Sequence, residues 1–159
     1  MSTIIFTDGS SRGNPGPGGW GAIIADGKTV REIGGRDPQT TNNRMELSAV
    51  IEALKIKPAE PITILSDSEY VIKGITEWID GWIKRGWKNS QKKPVLNQDL
   101  WEVLYDLTRG KDISWKYVRG HQGTPGNERC DVIATSFADN EKIDLYHGSV
   151  AEFQISLKF

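Results

Sequence analysis

The chain has one cysteine, two histidines and no apolar run approaching the ~20 residues a membrane-spanning helix needs. A lone Cys130 excludes an intrachain disulfide and fits a reducing compartment. With so few thiols and imidazoles there is no cysteine and histidine cluster to favour zinc. Met1-Ser2-Thr3-Ile4 enters a strand-like run without the basic and apolar regions of a signal peptide, so a cytoplasmic protein is expected. Repeats, low-complexity blocks and interdomain linkers are also missing, and 159 residues suffice for one good core but not for two ordinary domains. Acids are missing from residues 81–98, where Lys84, Arg85, Lys88, Lys92 and Lys93 are interleaved with Trp82 and Trp87. Such a segment reads either as a grip on a phosphate backbone or as a solvated helix face with its tryptophans in the core.

The rest of the chain is ordinary for a globular protein, with 37% hydrophobic and 26% charged residues, so secondary structure has to come from pattern. Thr3-Ile4-Ile5-Phe6-Thr7 is β-rich and is followed by a turn-dense stretch from Gly9 to Gly19. Trp20-Gly21-Ala22-Ile23-Ile24-Ala25 and Thr29-Val30-Arg31-Glu32-Ile33 predict a hairpin across Asp26-Gly27. From Thr41 the period becomes helical, with Leu47, Val50, Ile51 and Leu54 on one face, a cap at Thr41 to Asn43 and a stop at Pro58. Ile62-Thr63-Ile64-Leu65-Ser66 reads as a buried strand, with helical material from about Ser68 through Trp82. A helix from Asp99 to Thr108, a strand at Ile113-Ser114-Trp115-Lys116-Tyr117-Val118 and a last helix with Cys130, Ile133, Ala134 and Phe137 in one stripe complete the pattern. Strands alternating with helices after a meander predict an α/β domain with a mixed sheet over residues 1–140. Residues 141–159 form a tail whose Phe153-Gln154-Ile155-Ser156-Leu157 fits either a strand or an unstructured end.

Four acids stand out by position: Asp8 and Asp67 after apolar strands, Glu46 and Asp131 beside the apolar stripes of helices. Each alone reads as a turn former, a cap or a surface residue. Parallel pairing of the strands before Asp8 and Asp67 would bring those two carboxylates to one end of the sheet, and flanking helices could bring Glu46 and Asp131 inward. Converging carboxylates need a compensating cation, and oxygen-only ligation points to magnesium or manganese. Gly16-Pro17-Gly18-Gly19-Trp20-Gly21 fits G-x-G-x-x-G, but it opens a strand and carries proline where a phosphate-cradling amide is wanted, so a dinucleotide site is rejected. His121 sits in a glycine-bracketed loop suited to proton transfer, whereas His147 reads as a surface residue.

Taken in order, Phe6-Thr7-Asp8-Gly9-Ser10, Gly13-Asn14-Pro15-Gly16-Pro17-Gly18-Gly19, Thr41-Asn42-Asn43-Arg44-Met45-Glu46-Leu47, Asp67-Ser68, Gly81-Trp82-Ile83-Lys84-Arg85-Gly86-Trp87 and Gly120-His121 through Asn127-Glu128-Arg129-Cys130-Asp131 closely resemble type 1 ribonuclease H of the bacterial kind, from Thr3 to Asp139. The resemblance implies a five-stranded mixed sheet with helices on both faces and a basic, Trp-rich protrusion. It implies Asp8, Glu46, Asp67 and Asp131 as metal ligands, with His121 assisting catalysis from its loop. Asn14 is placed near RNA 2′-hydroxyls, Thr41, Asn42, Asn43 and Asn97 along the DNA strand, Trp78 on a deoxyribose, and Lys84, Arg85 and Lys88 in the protrusion that grips the hybrid. The reaction so implied is endonucleolytic hydrolysis of the RNA strand of an RNA/DNA hybrid by two Mg2+ ions, or Mn2+, about 4 Å apart, leaving 5′-phosphate and 3′-hydroxyl ends. A monomer with no obligate protein partner is expected.

Three residues depart from the pattern. Glu69 stands where many relatives carry Gln, Gln39 where a basic residue is found, and Gly126 where an acid often precedes Asn127. Two rival readings are an integrase-like or resolvase-like nuclease acting on DNA and a hybrid-binding module without catalysis.

Overall fold

A computed structural model describes residues 2–119 and 123–159. Three strands open it: β1 (Thr3–Ser11), β2 (Gly16–Ala25) and β3 (Thr29–Thr40). They form the expected antiparallel meander, and the β2–β3 hairpin turns at Asp26, whose Oδ1 accepts from the amides of Lys28 and Thr29 at 2.7 Å each. The stretch from Gly9 to Gly19 is mostly strand rather than turn. Gly9, Gly18 and Gly19 lie where β1 and β2 pass close under helices, and only residues 12–15 form the connection.

Helix α1 (Asn42–Lys55) is capped by Thr41, whose Oγ1 accepts from the Arg44 amide at 3.3 Å. Leu47, Val50, Ile51 and Leu54 are all buried, as their spacing predicts. Each such side chain contributes about 1.5–3 kcal/mol, more than any local propensity in the helix. Strand β4 (Ile62–Ser66) then runs parallel to β1, and β5 (Ile113–Tyr117) parallel to β4.

The helical stretch read from Ser68 to Trp82 divides into α2 (Glu69–Lys73), a π-helical segment (Gly74–Trp78) and α3 (Ile79–Lys84). At Gly74 the indole of buried Trp101 occupies the space a side chain would need, since a Cβ there would lie 2.1 Å from the ring. Trp101 belongs to α4 (Gln98–Thr108), which packs on α1. Helix α5 (Pro125–Ala138) covers the other face of the sheet. Strand alternation sorts the two cores accordingly: Ile5, Ile62 and Ile64 meet α1 and α4, while Phe6, Ile23 and Leu65 share the face of Cys130 in α5.

Among the described residues the sheet has six strands, not five, with β6 (His147–Ser149) completing the order β5-β4-β1-β2-β3-β6. The sixth lies in the tail and pairs antiparallel with the outer edge of β3. It is too short, and too poor in apolar residues, to be legible as a strand. Beyond it the chain makes one 3-10 turn and no strand over residues 153–157. Phe153 and Leu157 nonetheless pack against the Phe6 core. Behind β6 the carboxylate of Glu32 accepts two bonds from Arg129 of α5, at 2.7 and 2.8 Å, and one from the Tyr146 amide at 2.9 Å. These bonds join strand, helix and tail. His147 is exposed, as expected.

Candidate active site

The register Thr7↔Ser66 between β1 and β4 sets Asp8 and Asp67 side by side where β4 ends. Asp8 shares the sheet face of Phe6, toward α5, while Gly9 turns toward α1. A Cβ on Gly9 would lie 2.3 Å from the Glu46 nitrogen, so the missing side chain is what lets α1 close over β1 and deliver Glu46 to Asp8. The Gly9 amide donates to both acids, to Asp8 Oδ1 at 2.9 Å and Glu46 Oε1 at 3.0 Å. One oxygen each from Asp8, Glu46 and Asp67 lie within 4.8 Å of one another.

Asp8 is 4% exposed and Glu46 8%. Burial pushes the Asp8 carboxyl up to about 8, and the charges of Asp67 and Asp131 add to the rise. Burial also holds Glu46 well above the usual carboxylate range, with Asp8 as the next cause. The two carboxyls share the Gly9 amide and act on each other directly, so they titrate as a pair. Glu46 Oε2 is buried without a hydrogen-bond partner among the described residues. A buried carboxylate oxygen with no donor, beside two further acids, is a donor set that fits a hard divalent cation.

Asp131 projects from α5 on the Asp8 side and stands outside the tight triad, near enough for its charge to raise Asp8. His121 lies outside the described residues. Gly126, where an acid was noted as more usual, is dictated by packing: a Cβ there would lie 2.7 Å from the Phe6 ring. Glu69 opens α2 and meets Lys73 at 3.6 Å, so its charge is partly balanced on its own helix. Gln39 is exposed on β3, its backbone N–H donating to Asp37 Oδ1 at 3.0 Å.

Around the acids the polar residues fall on neighbouring elements. Asn14 is exposed in the β1–β2 connection, and Asn42 and Asn43 are exposed in the first turn of α1, with Thr41 as its cap. Asn97 precedes α4. Trp78 is 40% exposed and is the outermost ring of a cluster, 6.4 Å from Tyr70 and 6.0 Å from Trp82. After α3 the basic segment folds back on itself through a bridge between Lys88 and Pro94, while the Trp87 amide donates to Trp82 O. Lys84, Arg85, Lys88, Lys92 and Lys93 are all exposed, and none forms an ion pair among the described residues. Val95 is buried and Trp87 half-buried, so these two residues anchor the segment while Leu96 and the cations face water.

Sequence reading passed over two groups. The Gly9 amide, shared by two carboxylates, was hidden in an Asp-Gly pair that reads as a turn. Arg44, whose guanidinium pairs with Asp99 and reaches Asn97, lies 53 residues from Asn97 in the chain and gives no local signal.

The chain matches the RNase H family over residues 1–139. It is 54% identical over 145 residues to a ribonuclease H of Cyanothece sp., covering 89% of this chain and 92% of that one. To a ribonuclease H of Thermosynechococcus vestitus it is 55% identical over 147 residues, with 89% and 91% covered. Among solved structures, LC9-RNase H1, a type 1 RNase H with the type 2 active-site motif, superposes with a TM-score of 0.78 at 30% identity, covering 91% of this chain and 76% of that one. LC11-RNase H1 in complex with an RNA/DNA hybrid superposes with a TM-score of 0.67 at 25% identity, covering 87% and 97%.

Proposed function

Because the chain belongs to the ribonuclease H family, and is a ribonuclease H by its likeness to these relatives, we propose that Asp8, Glu46, Asp67 and Asp131 hold two divalent ions that cut the RNA strand of a hybrid, leaving 5′-phosphate and 3′-hydroxyl ends. Cleavage of RNA in RNA/DNA hybrids is the activity the family carries, and one solved relative is bound to such a hybrid. The observation that carries the site assignment is the triad itself: three carboxylates from three elements, with an orphaned buried oxygen on Glu46.

When bound, divalent magnesium, or manganese, supplies the activation of the attacking water and neutralises charge on the leaving 3′-oxygen. The chain's own residues prepare for this. Gly9 holds an oxygen of Asp8 and one of Glu46 on a single N–H, which fixes the angle between the two carboxylates. Asp8 and Glu46, whose raised titration favours their protonated forms, would have to give up a proton to hold a cation, so ion affinity should rise with pH. Asp131 approaches from the α5 side, and His121 moves a proton near the leaving group.

Asn14 distinguishes RNA through its 2′-hydroxyls, Thr41, Asn42, Asn43 and Asn97 follow the DNA strand, and Trp78 offers a face to a sugar. Lys84, Arg85 and Lys88 meet phosphates, which suits a cationic segment without acids of its own. No helix among the described residues is long and apolar enough to cross a membrane, and a cytoplasmic monomer is part of the reading. The experiment is substrate cleavage by Asp67→Asn in magnesium: turnover should fall by several orders of magnitude while hybrid binding survives, and near-normal cleavage would remove Asp67 from the site.

A further inference from the structure

Asn97 occupies the N-cap of α4, yet its side chain makes no capping bond, and its backbone is left-handed with φ of 60°. An Asn at this position ordinarily spends its oxygen on the amides of the first turn. Here the side chain is turned the other way. Arg44 Nη1 donates to Asn97 Oδ1 at 3.2 Å, and Asn97 Nδ2 donates to Tyr70 Oη at 3.1 Å. Arg44 is itself fixed by a two-pronged bond to Asp99, at 3.0 and 2.8 Å, and Tyr70 Oη also accepts from Trp101 Nε1 at 2.9 Å.

Donor chemistry decides which way the amide points. A guanidinium has no acceptor, so the atom of Asn97 facing Arg44 must be the oxygen, and the amide cannot flip without setting N–H against N–H. Nδ2 has two hydrogens, and the bond to Tyr70 uses one. Asparagine accepts the left-handed backbone readily, but the forgone cap costs stability, which fits a side chain held for another purpose. Arg44 sits in the first turn of α1, which also carries Asn42 and Asn43, so its bond to Asn97 sets this amide beside that end of the helix.

We propose that Arg44 is a positioning residue: it locks the Asn97 amide so that the second N–H of Nδ2 is presented to the nucleic acid as a donor to an oxygen of the DNA strand. This rests on the hybrid-cleaving reading of the site. Arg44 touches no substrate in this scheme and acts only through Asn97.

The test is a double-mutant cycle on hybrid cleavage in magnesium. The variants are Arg44→Met, which keeps the stem and removes the donors, and Asn97→Gly, which removes the amide and suits a left-handed backbone. Each single change should raise KM about tenfold and leave kcat within about twofold, the size expected for one charge-assisted or substrate-facing hydrogen bond. The double variant should be no worse than either single one. An unchanged KM in Arg44→Met, or a double variant whose KM rises by the product of the single effects, would overturn the proposal, since Arg44 would then act elsewhere. A second measurement is independent of substrate. The two side-chain N–H protons of Asn97, assigned in labelled protein by their loss in Asn97→Gly, should exchange with water at clearly different rates in the wild type and at equal, faster rates in Arg44→Met. Unaltered rates in that variant would also overturn the proposal. A wild-type protein that failed to cleave hybrid would defeat the proposed function instead, and the exchange rates would still decide whether Arg44 orients Asn97.

Discussion

Asp8→Asn should make the metal-free protein more stable at neutral and alkaline pH. Asp8 titrates at 3.8 when unfolded and about 8 when folded, so between those values the folded chain holds a proton that the unfolded chain has released. Stability therefore falls as pH rises through that window. The penalty is absent below 3.8 and fully present above about 8. At about 1.4 kcal/mol per pH unit, the loss by pH 7 reaches at most about 4 kcal/mol. Asparagine removes the charge, keeps the shape and can donate to Glu46 Oε2, which has no partner among the described residues. For a protein of this length, a gain of about 2–4 kcal/mol corresponds to a rise in Tm of roughly 4–16 °C. The assay is thermal melting with chelator from pH 4 to pH 9. The variant should melt higher at pH 8 and the difference should shrink toward pH 4. Magnesium should raise the Tm of the wild type and leave that of the variant nearly unmoved. A wild type that melts higher than the variant at pH 8 in chelator would refute the claim that these carboxylates strain the empty pocket.

Other consequences are as direct. His121→Ala should slow turnover by about 10²–10⁴-fold, and a metal titration should show ion binding nearly intact if the imidazole assists without ligating. Replacing Lys84, Arg85 and Lys88 together with Ala should raise KM, leave kcat largely unchanged and flatten the salt dependence of hybrid binding by roughly 0.9 per lost contact; parallel slopes would make the segment a solvated surface. Arg129→Met would strand the Glu32 carboxylate, whose side chain is 1% exposed, and should cost about 3–5 kcal/mol in urea unfolding, with β6 and the tail losing amide protection first. A change below about 1 kcal/mol would mean that the ion pair does not hold the tail.

Much of the fold was legible because its signals are local. The helical spacing of Leu47 to Leu54, the Asp26-Gly27 hairpin and the apolar runs before Asp8 and Asp67 each specify an element, and parallel pairing of β1 with β4 then brings the two acids together. Features set by distant contacts were not legible. Gly9, Gly18 and Gly19 read as turns because their role, admitting helices close to the sheet, depends on residues such as Glu46 that arrive later in the chain. The break in the helix between residues 68 and 84 accompanies the seating of Trp101 at Gly74, and β6 exists only because β3 offers it an edge. Within the site, Asp8, Glu46 and Asp67 converge as expected, whereas Asp131 stands apart from the tight group.

The most direct measurement is cleavage of end-labelled RNA/DNA, DNA/DNA and RNA/RNA duplexes by the wild-type protein, with and without magnesium. Internal cuts in the RNA of the hybrid alone, dependent on the ion and ending in 5′-phosphate and 3′-hydroxyl groups, are the predicted result. Cutting of DNA/DNA, or tight hybrid binding with no cleavage in fresh magnesium, would contradict it.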